Sequence, residues 1–233
     1  MSLNVSKTSL ISFHRRPNFI APVYTINNCP ISSVNHYKYL GVHISHDLTW
    51  TLHVTNITNS ANSVLGYLRR NLALAPSSLK SLAYKTFVRP KLEYAHSVWD
   101  PHQINLINTI ESVQNRAARF ISSVYSYHTS ISGLKSRLQL PTLVTRRNAA
   151  RLCLFHKFFH NFPEANRLIP RVHRISRHNH PNAVYPERAH TTTFQQSFFL
   201  KTARDWNNLS AEVATIMNHR LFKTTIEEAY SST

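Results

Sequence analysis

Between positions 103 and 125 the apolar residues Leu106, Ile107, Ile110, Val113, Ala117, Phe120, Ile121 and Val124 recur at steps of three and four. At about 100° per residue this places them on one face of an α-helix, with Arg116 and Arg119 turned towards the other. A stripe that long has to be covered by other helices, and its neighbours supply them. Val54, Ile57, Ala61, Val64, Leu65 and Leu68 repeat the period behind Asp47, a candidate N-cap, and the pattern stops at Arg69-Arg70-Asn71. A helix opening at Pro76-Ser77-Ser78 carries Leu79, Leu82, Ala83 and Phe87. It is expected to break at Pro90, where the backbone donor is missing, with a further element from 92 to 99. Trp99-Asp100-Pro101 then reads as a buried aromatic, an Asx-type turn and a helix start. A short helix is expected over 131–138. A longer one, with Pro141 at its first position, carries Arg146, Arg147 and Arg151 on to Phe162.

The period is different at the start. Ser9-Leu10-Ile11-Ser12-Phe13, then Val23-Tyr24-Thr25-Ile26 with a tight turn at Asn27-Asn28, and the alternating Tyr37–Ile44 segment read as strands. The expected fold is mainly α with a small N-terminal antiparallel β unit, an α+β chain. The β unit spans 1–46 and the helical domain 47–162. A proline- and arginine-rich linker or arm covers 163–190, and a small module of balanced charge covers 191–233.

Three glycines in 233 residues leave no room for a Gly-rich phosphate loop, which disfavours a doubly wound nucleotide-binding fold. Two distant cysteines argue against a disulfide framework, and there is neither an apolar run of about 18 residues nor a signal-peptide core. These features lead to the expectation of an intracellular protein, nuclear or cytoplasmic and not secreted. Cys153-x-x-His156-x-x-x-His160 tempts a metal reading, but no second pair at matching spacing completes four ligands. The three aspartates, Asp47, Asp100 and Asp205, are scattered, so a site complete for metal-assisted phosphoryl chemistry is not expected within the chain.

Charge is the positive signal. The net charge is +17, and residues 49–162 hold 14 basic against 3 acidic side chains, whereas 191–233 hold 4 of each. Arg69/Arg70, Arg89/Lys91, Arg116/Arg119 and Arg146/Arg147/Arg151 sit on successive helices. Any one pair would be ordinary solvated surface; four clusters with so few acids among them point to a phosphate-facing surface.

The strings KYLGVHISHDLTWTLHV, LGYLRRNL, AYKTFVRPKLEYAHSVWDP, IESVQNRAARFI, LPTLVTRRNAARL and SFFLKTARDWNNL follow one another in order. Together they resemble the C-terminal part of the reverse transcriptases of non-LTR (LINE-type) retrotransposons of the Jockey and chicken-repeat-like group. The resemblance implies that LNVSKTSLISF matches the palm segment after the catalytic aspartates, with Lys7 near the incoming nucleotide. It also implies that Tyr39, Leu40 and Gly41 form the turn supporting the primer end, and that the helices from Trp50 onward form a thumb-like bundle along the template–primer duplex. The Tyr-x-Asp-Asp motif, the fingers and the endonuclease of that family have no counterpart here. The implied partners are RNA, an RNA–DNA duplex and the missing palm and fingers, with no membrane. The Mg2+ of the parent polymerase would have no site in this chain. The expectation is a part of an RNA-directed DNA polymerase that grips nucleic acid without catalysis; the alternative is a free-standing nucleic-acid-binding or interaction protein built on the same helices.

Overall fold

The computed structural model describes residues 4, 7–14, 20, 22–126, 128–162, 164, 167–172, 180–185 and 187–231. Leu3, Arg15, Arg16, Pro17, Pro163, Pro186 and residues 173–179, which belong to the expected β unit and linker, lie outside them. Among the described residues six short strands, β1 (Ser9–Leu10), β2 (Thr25–Ile26), β3 (Cys29–Pro30), β4 (Ser32–Ser33), β5 (His36–Tyr39) and β6 (Val42–Ser45), precede the helices. The helices are α1 (Thr51–Asn71), α2 (Ser77–Ala83), a π-helical turn (Tyr84–Val88), α3 (Arg89–Glu93), α4 (His96–Trp99), α5 (Ile104–Ser122), α6 (Ile131–Arg137) and α7 (Leu143–Asn161). Four more follow: α8 (Thr192–Gln195), α9 (Phe198–Asn207), α10 (Ala211–Ala214) and α11 (His219–Ser231). The protein is mainly α with a small β part.

The β part departs from a single antiparallel unit. The strands form three separate two-stranded ladders, and β1 with β4 is parallel. Asn27 and Asn28, both at positive φ, turn β2 into β3. That is the conformation asparagine tolerates best among non-glycine residues. The alternation over Tyr37–Ile44 is not one strand but a hairpin. Leu40 and Gly41 stand at φ of 45° and 85°, so the chain folds back there and pairs Tyr39 with Val42.

One core gathers α1, α2, α3, α5 and α6 around Val54, Leu65, Tyr84, Leu92, Trp99, Ile110 and Phe120. The stripe on α5 is buried as its period requires. Pro90 does not break the helix. The preceding turn widens to π, the Arg89 N–H donates to the Tyr84 carbonyl five residues back, and Pro90 enters the first turn of α3, where a missing N–H does no harm. The chain turns instead at Ala95, which takes the left-handed conformation. Asp47 is not the N-cap of α1. Trp50 holds that position, while the Asp47 carboxylate accepts from the Thr49 N–H at 3.0 Å and its hydroxyl at 2.9 Å. Likewise Pro141 precedes the cap of α7, which is Thr142, and α5 starts at Ile104 rather than at Pro101.

A second core assembles on α7, where Leu152, Phe155 and Phe159 meet Trp206, Phe222 and Ile226 of α9 and α11. Among the described residues between 163 and 190, Ile169 and Val184 join this core. Ile169, His180, Ala183 and Val184 are buried, and the Asn207 amide side chain pairs both ways with the Val184 backbone.

Candidate nucleic-acid interface

A polyanion meets unmatched charge only where a cation has no carboxylate partner. The three acids of residues 49–162 are each shared. Glu93 accepts from Arg146 through both oxygens and also lies 3.7 Å from Arg89. Glu111 lies 2.7 Å from the Lys135 ammonium and accepts the Leu143 N–H at 2.9 Å. Asp100 holds Arg147 at 2.8 Å, Arg151 at 3.2 Å and Lys201.

This last cluster corrects the sequence expectation. Arg147 and Arg151 are each only 1% exposed, so neither faces a phosphate. They form the polar joint between the two cores, with Arg151 also bonded to Asp205 and Thr202 of α9. Asp100 is no turn cap but the counter-charge of that joint. Burial pushes its carboxyl up, yet Lys201, Arg151 and Arg147 outweigh this and hold it below the usual carboxylate range. The partners lie 47 and more residues apart, so no spacing could reveal them. The available signal was scarcity: the few acids in a basic segment are the ones that several cations must share.

Arg69, Arg70, Lys80, Arg116 and Arg119 are different. Among the described residues none has a carboxylate within ion-pair distance. They lie along the seam where α1 packs beside α5. Arg116 reaches across to the Asn62 amide oxygen at 2.8 Å, Arg119 donates to the Ser126 carbonyl at 2.9 Å, and Arg69 stands 5.6 Å over the Tyr125 ring. Tyr67 and Tyr125 are both exposed beside them. Neutral partners fix the direction of the Arg69, Arg116 and Arg119 guanidinium groups and leave their charge unmet. Sequence reasoning places four of these five and does not single out Lys80, which has no basic neighbour within four residues to form a cluster.

The remaining candidates fall elsewhere. The Tyr39-Leu40-Gly41 turn is held against the end of α3, where the Tyr94 hydroxyl donates to the Leu40 carbonyl at 3.0 Å. A Cβ on Gly41 would come within 3.2 Å of the Tyr94 ring, so both backbone conformation and space call for glycine there. Lys91 is exposed on α3, Arg89 and Arg146 are tied to Glu93, and Lys7 is exposed in a turn closed on Asn4.

Among the described residues the donors for a two-ion polymerase site are not assembled. Asp47 is satisfied by Thr49, Asp100 is surrounded by cations and Asp205 is engaged by Arg151. Among the described residues no group of three or more His, Cys, Asp or Glu side chains is placed to hold a metal ion. No helix among them is long and apolar enough to cross a membrane.

About half of this chain is similar to part of the RNA-directed DNA polymerases of Drosophila mobile elements. It is 29% identical over 125 residues to the probable RNA-directed DNA polymerase from transposon X-element of Drosophila melanogaster, covering 52% of this chain and 14% of that protein. Against the RNA-directed DNA polymerase from mobile element jockey, it is 31% identical over 134 residues in Drosophila funebris and 26% over 146 residues in Drosophila melanogaster. Those matches cover 54% and 60% of this chain and only 14% and 16% of the two polymerases. No protein-family model and no solved structure matches. The chain resembles non-LTR retrotransposon reverse transcriptases and corresponds to a small share of their length.

Proposed function

We propose that this chain is the nucleic-acid grip of a non-LTR retrotransposon RNA-directed DNA polymerase, the thumb-like part that holds the template–primer while chemistry is done by the palm. The observation that carries this is the α1–α5 seam, where Arg69, Arg116 and Arg119 are oriented by neutral groups, exposed Arg70 stands beside them, and none of the four is matched by a carboxylate among the described residues. Such a row binds phosphates of RNA or an RNA–DNA duplex by releasing counterions, so affinity falls steeply with salt and depends little on sequence. Arg147 and Arg151 take no part in the grip. Phe13, Val23, Tyr24, Tyr39 and Leu40, exposed in the β part, supply the face that the rest of a polymerase covers. The Mg2+ ions of nucleotidyl transfer belong to that remainder, since the aspartates here do not fit them.

The test is anisotropy of a labelled RNA–DNA hybrid of about 20 base pairs, titrated at several salt concentrations. Arg69→Ala/Arg70→Ala and Arg116→Ala/Arg119→Ala should each weaken binding about tenfold or more and lower the salt slope by about two. Affinity that ignores salt, or that neither double variant changes, overturns the assignment.

A further inference from the structure

We propose that the recess between the end of α1, α2 and the C-terminus of α5 is a phosphate pocket, into which the bound strand places one of its phosphodiesters. This rests on the nucleic-acid reading of the seam and adds a built site to it. The recess encloses about 550 Å³ and is lined by Gly66, Arg69, Arg70, Lys80, Ser123 and Tyr125. That volume lies within the range of small-ligand sites.

Three observations converge. Lys80 is 3% exposed, with its ammonium 2.8 Å from the Ser123 hydroxyl and 5.3 Å from the centre of the Phe120 ring. An ammonium taken out of water needs an anion, and a hydroxyl and a ring face meet only part of its three donors. Among the described residues no carboxylate completes the set, and Arg69 and Arg70 add two further positive charges at the same place.

Ser123, at the C-cap of α5, holds φ 53°, where glycine is the unstrained choice. The serine hydroxyl is what holds the Lys80 ammonium in position, and glycine would lose it. Finally, Gly66 lies inside α1, where glycine is less favourable than alanine. Packing does not require it, because a Cβ there would meet only an Arg70 nitrogen at 3.7 Å. What the missing side chain leaves open is the recess itself. The buried Lys80 ammonium with Arg69 and Arg70 beside it favours a phosphate over an organic cation or an apolar ligand, and Gly66 leaves the room for it.

The test uses the full chain and a labelled single-stranded RNA of about 20 nucleotides. Gly66→Leu fills the recess with a good helix former, and Lys80→Gln removes the buried charge. Each should weaken binding about tenfold and lower the salt slope by about one. Lys223→Ala, exposed on α11, should bind like the parent. Circular dichroism checks that the helices persist, and should one pocket variant fail that check the other decides. Unchanged affinity and slope in the folded pocket variants, with Arg116→Ala/Arg119→Ala still weakened, overturns the pocket and leaves the seam standing. Parent protein that binds this RNA in no salt-dependent way overturns the pocket, and the same failure on the RNA–DNA hybrid overturns the seam as well.

Discussion

Replacing Asp100 with asparagine keeps its size and leaves Arg147, Arg151 and Lys201 facing one another without their shared counter-charge. An uncompensated buried charge costs about 3–5 kcal/mol, so Asp100→Asn should shift the urea midpoint far more than a change at exposed Lys91. The Asp100 pKa is depressed in the fold, so its contribution is complete above the unfolded carboxyl value near 3.9 and disappears as pH falls through the lower folded value. His53 acts earlier in an acid titration. It is buried, its Nδ1 accepts the His43 N–H at 3.3 Å, and its ring stands edge-on to Trp99 with centroids 4.8 Å apart. Burial, aided by His43, lowers its pKa to about 4. The unfolded chain therefore binds a proton that the fold refuses between about 6.5 and 4, and stability falls as pH drops through that window, by on the order of 3 kcal/mol. His53→Leu should remove about one proton from the pH dependence of unfolding over that range. A slope unchanged by the substitution would show that the titration belongs to other histidines. Neither role is legible locally: Asp100 reads as a turn residue, and the sequence assigns His53 no role.

Elements were legible where one period governs them. α1 and α5 bury the stripes that their spacing predicts, because each packs against other helices along its length. α7 is harder to read, since it serves two cores. Leu143 faces the first and Leu152, Phe155 and Phe159 the second, with Arg147 and Arg151 buried at the changeover. A helix whose covered face shifts along its length shows weak amphipathy, and its arginines then look solvated. Pro90 misleads for a related reason: the rule that proline ends a helix assumes an α-helical ladder, and a π turn relaxes it. Helix ends offer a direct test of local strain. Gln139, exposed just beyond the C-cap of α6, stands at φ 51° while the following Leu140 N–H bonds back to the Lys135 carbonyl. Gln139→Gly relieves the left-handed residue at that position and should raise stability by about 0.5–1 kcal/mol, read as a higher melting temperature. A lower one would mean that the glutamine side chain is needed there.

At the scale of the whole molecule, the sequence marks a boundary at residue 46, and the contacts across that position put a cleavage of the chain there to the test. β1 with β4 and β2 with β3 are ladders of two residue pairs each, whereas β5 with β6 has four and is fastened to the helices. Val42 is buried in the first core, Ile44 packs against it, the His43 N–H is bonded to His53 of α1, and Tyr94 holds the Leu40 carbonyl. The change of period from two to 3.6 at Asp47 separates strand from helix but says nothing of what packs on what. Removing residues 1–46 strips the cover from His53 and deletes a buried valine. Fully burying such a side chain contributes about 1.5–3 kcal/mol and the hydrogen bond about 1 kcal/mol. A chain beginning at His36 should therefore melt within a few degrees of the full protein, and one beginning at Asp47 should lose about 2–4 kcal/mol. In hydrogen exchange the amides of β6 should be protected with those of α1, while β1 through β4 exchange fast. Equal melting of the two shortened chains, with β6 exchanging as fast as β1, would place the hairpin outside the cooperative core and return the boundary to residue 46.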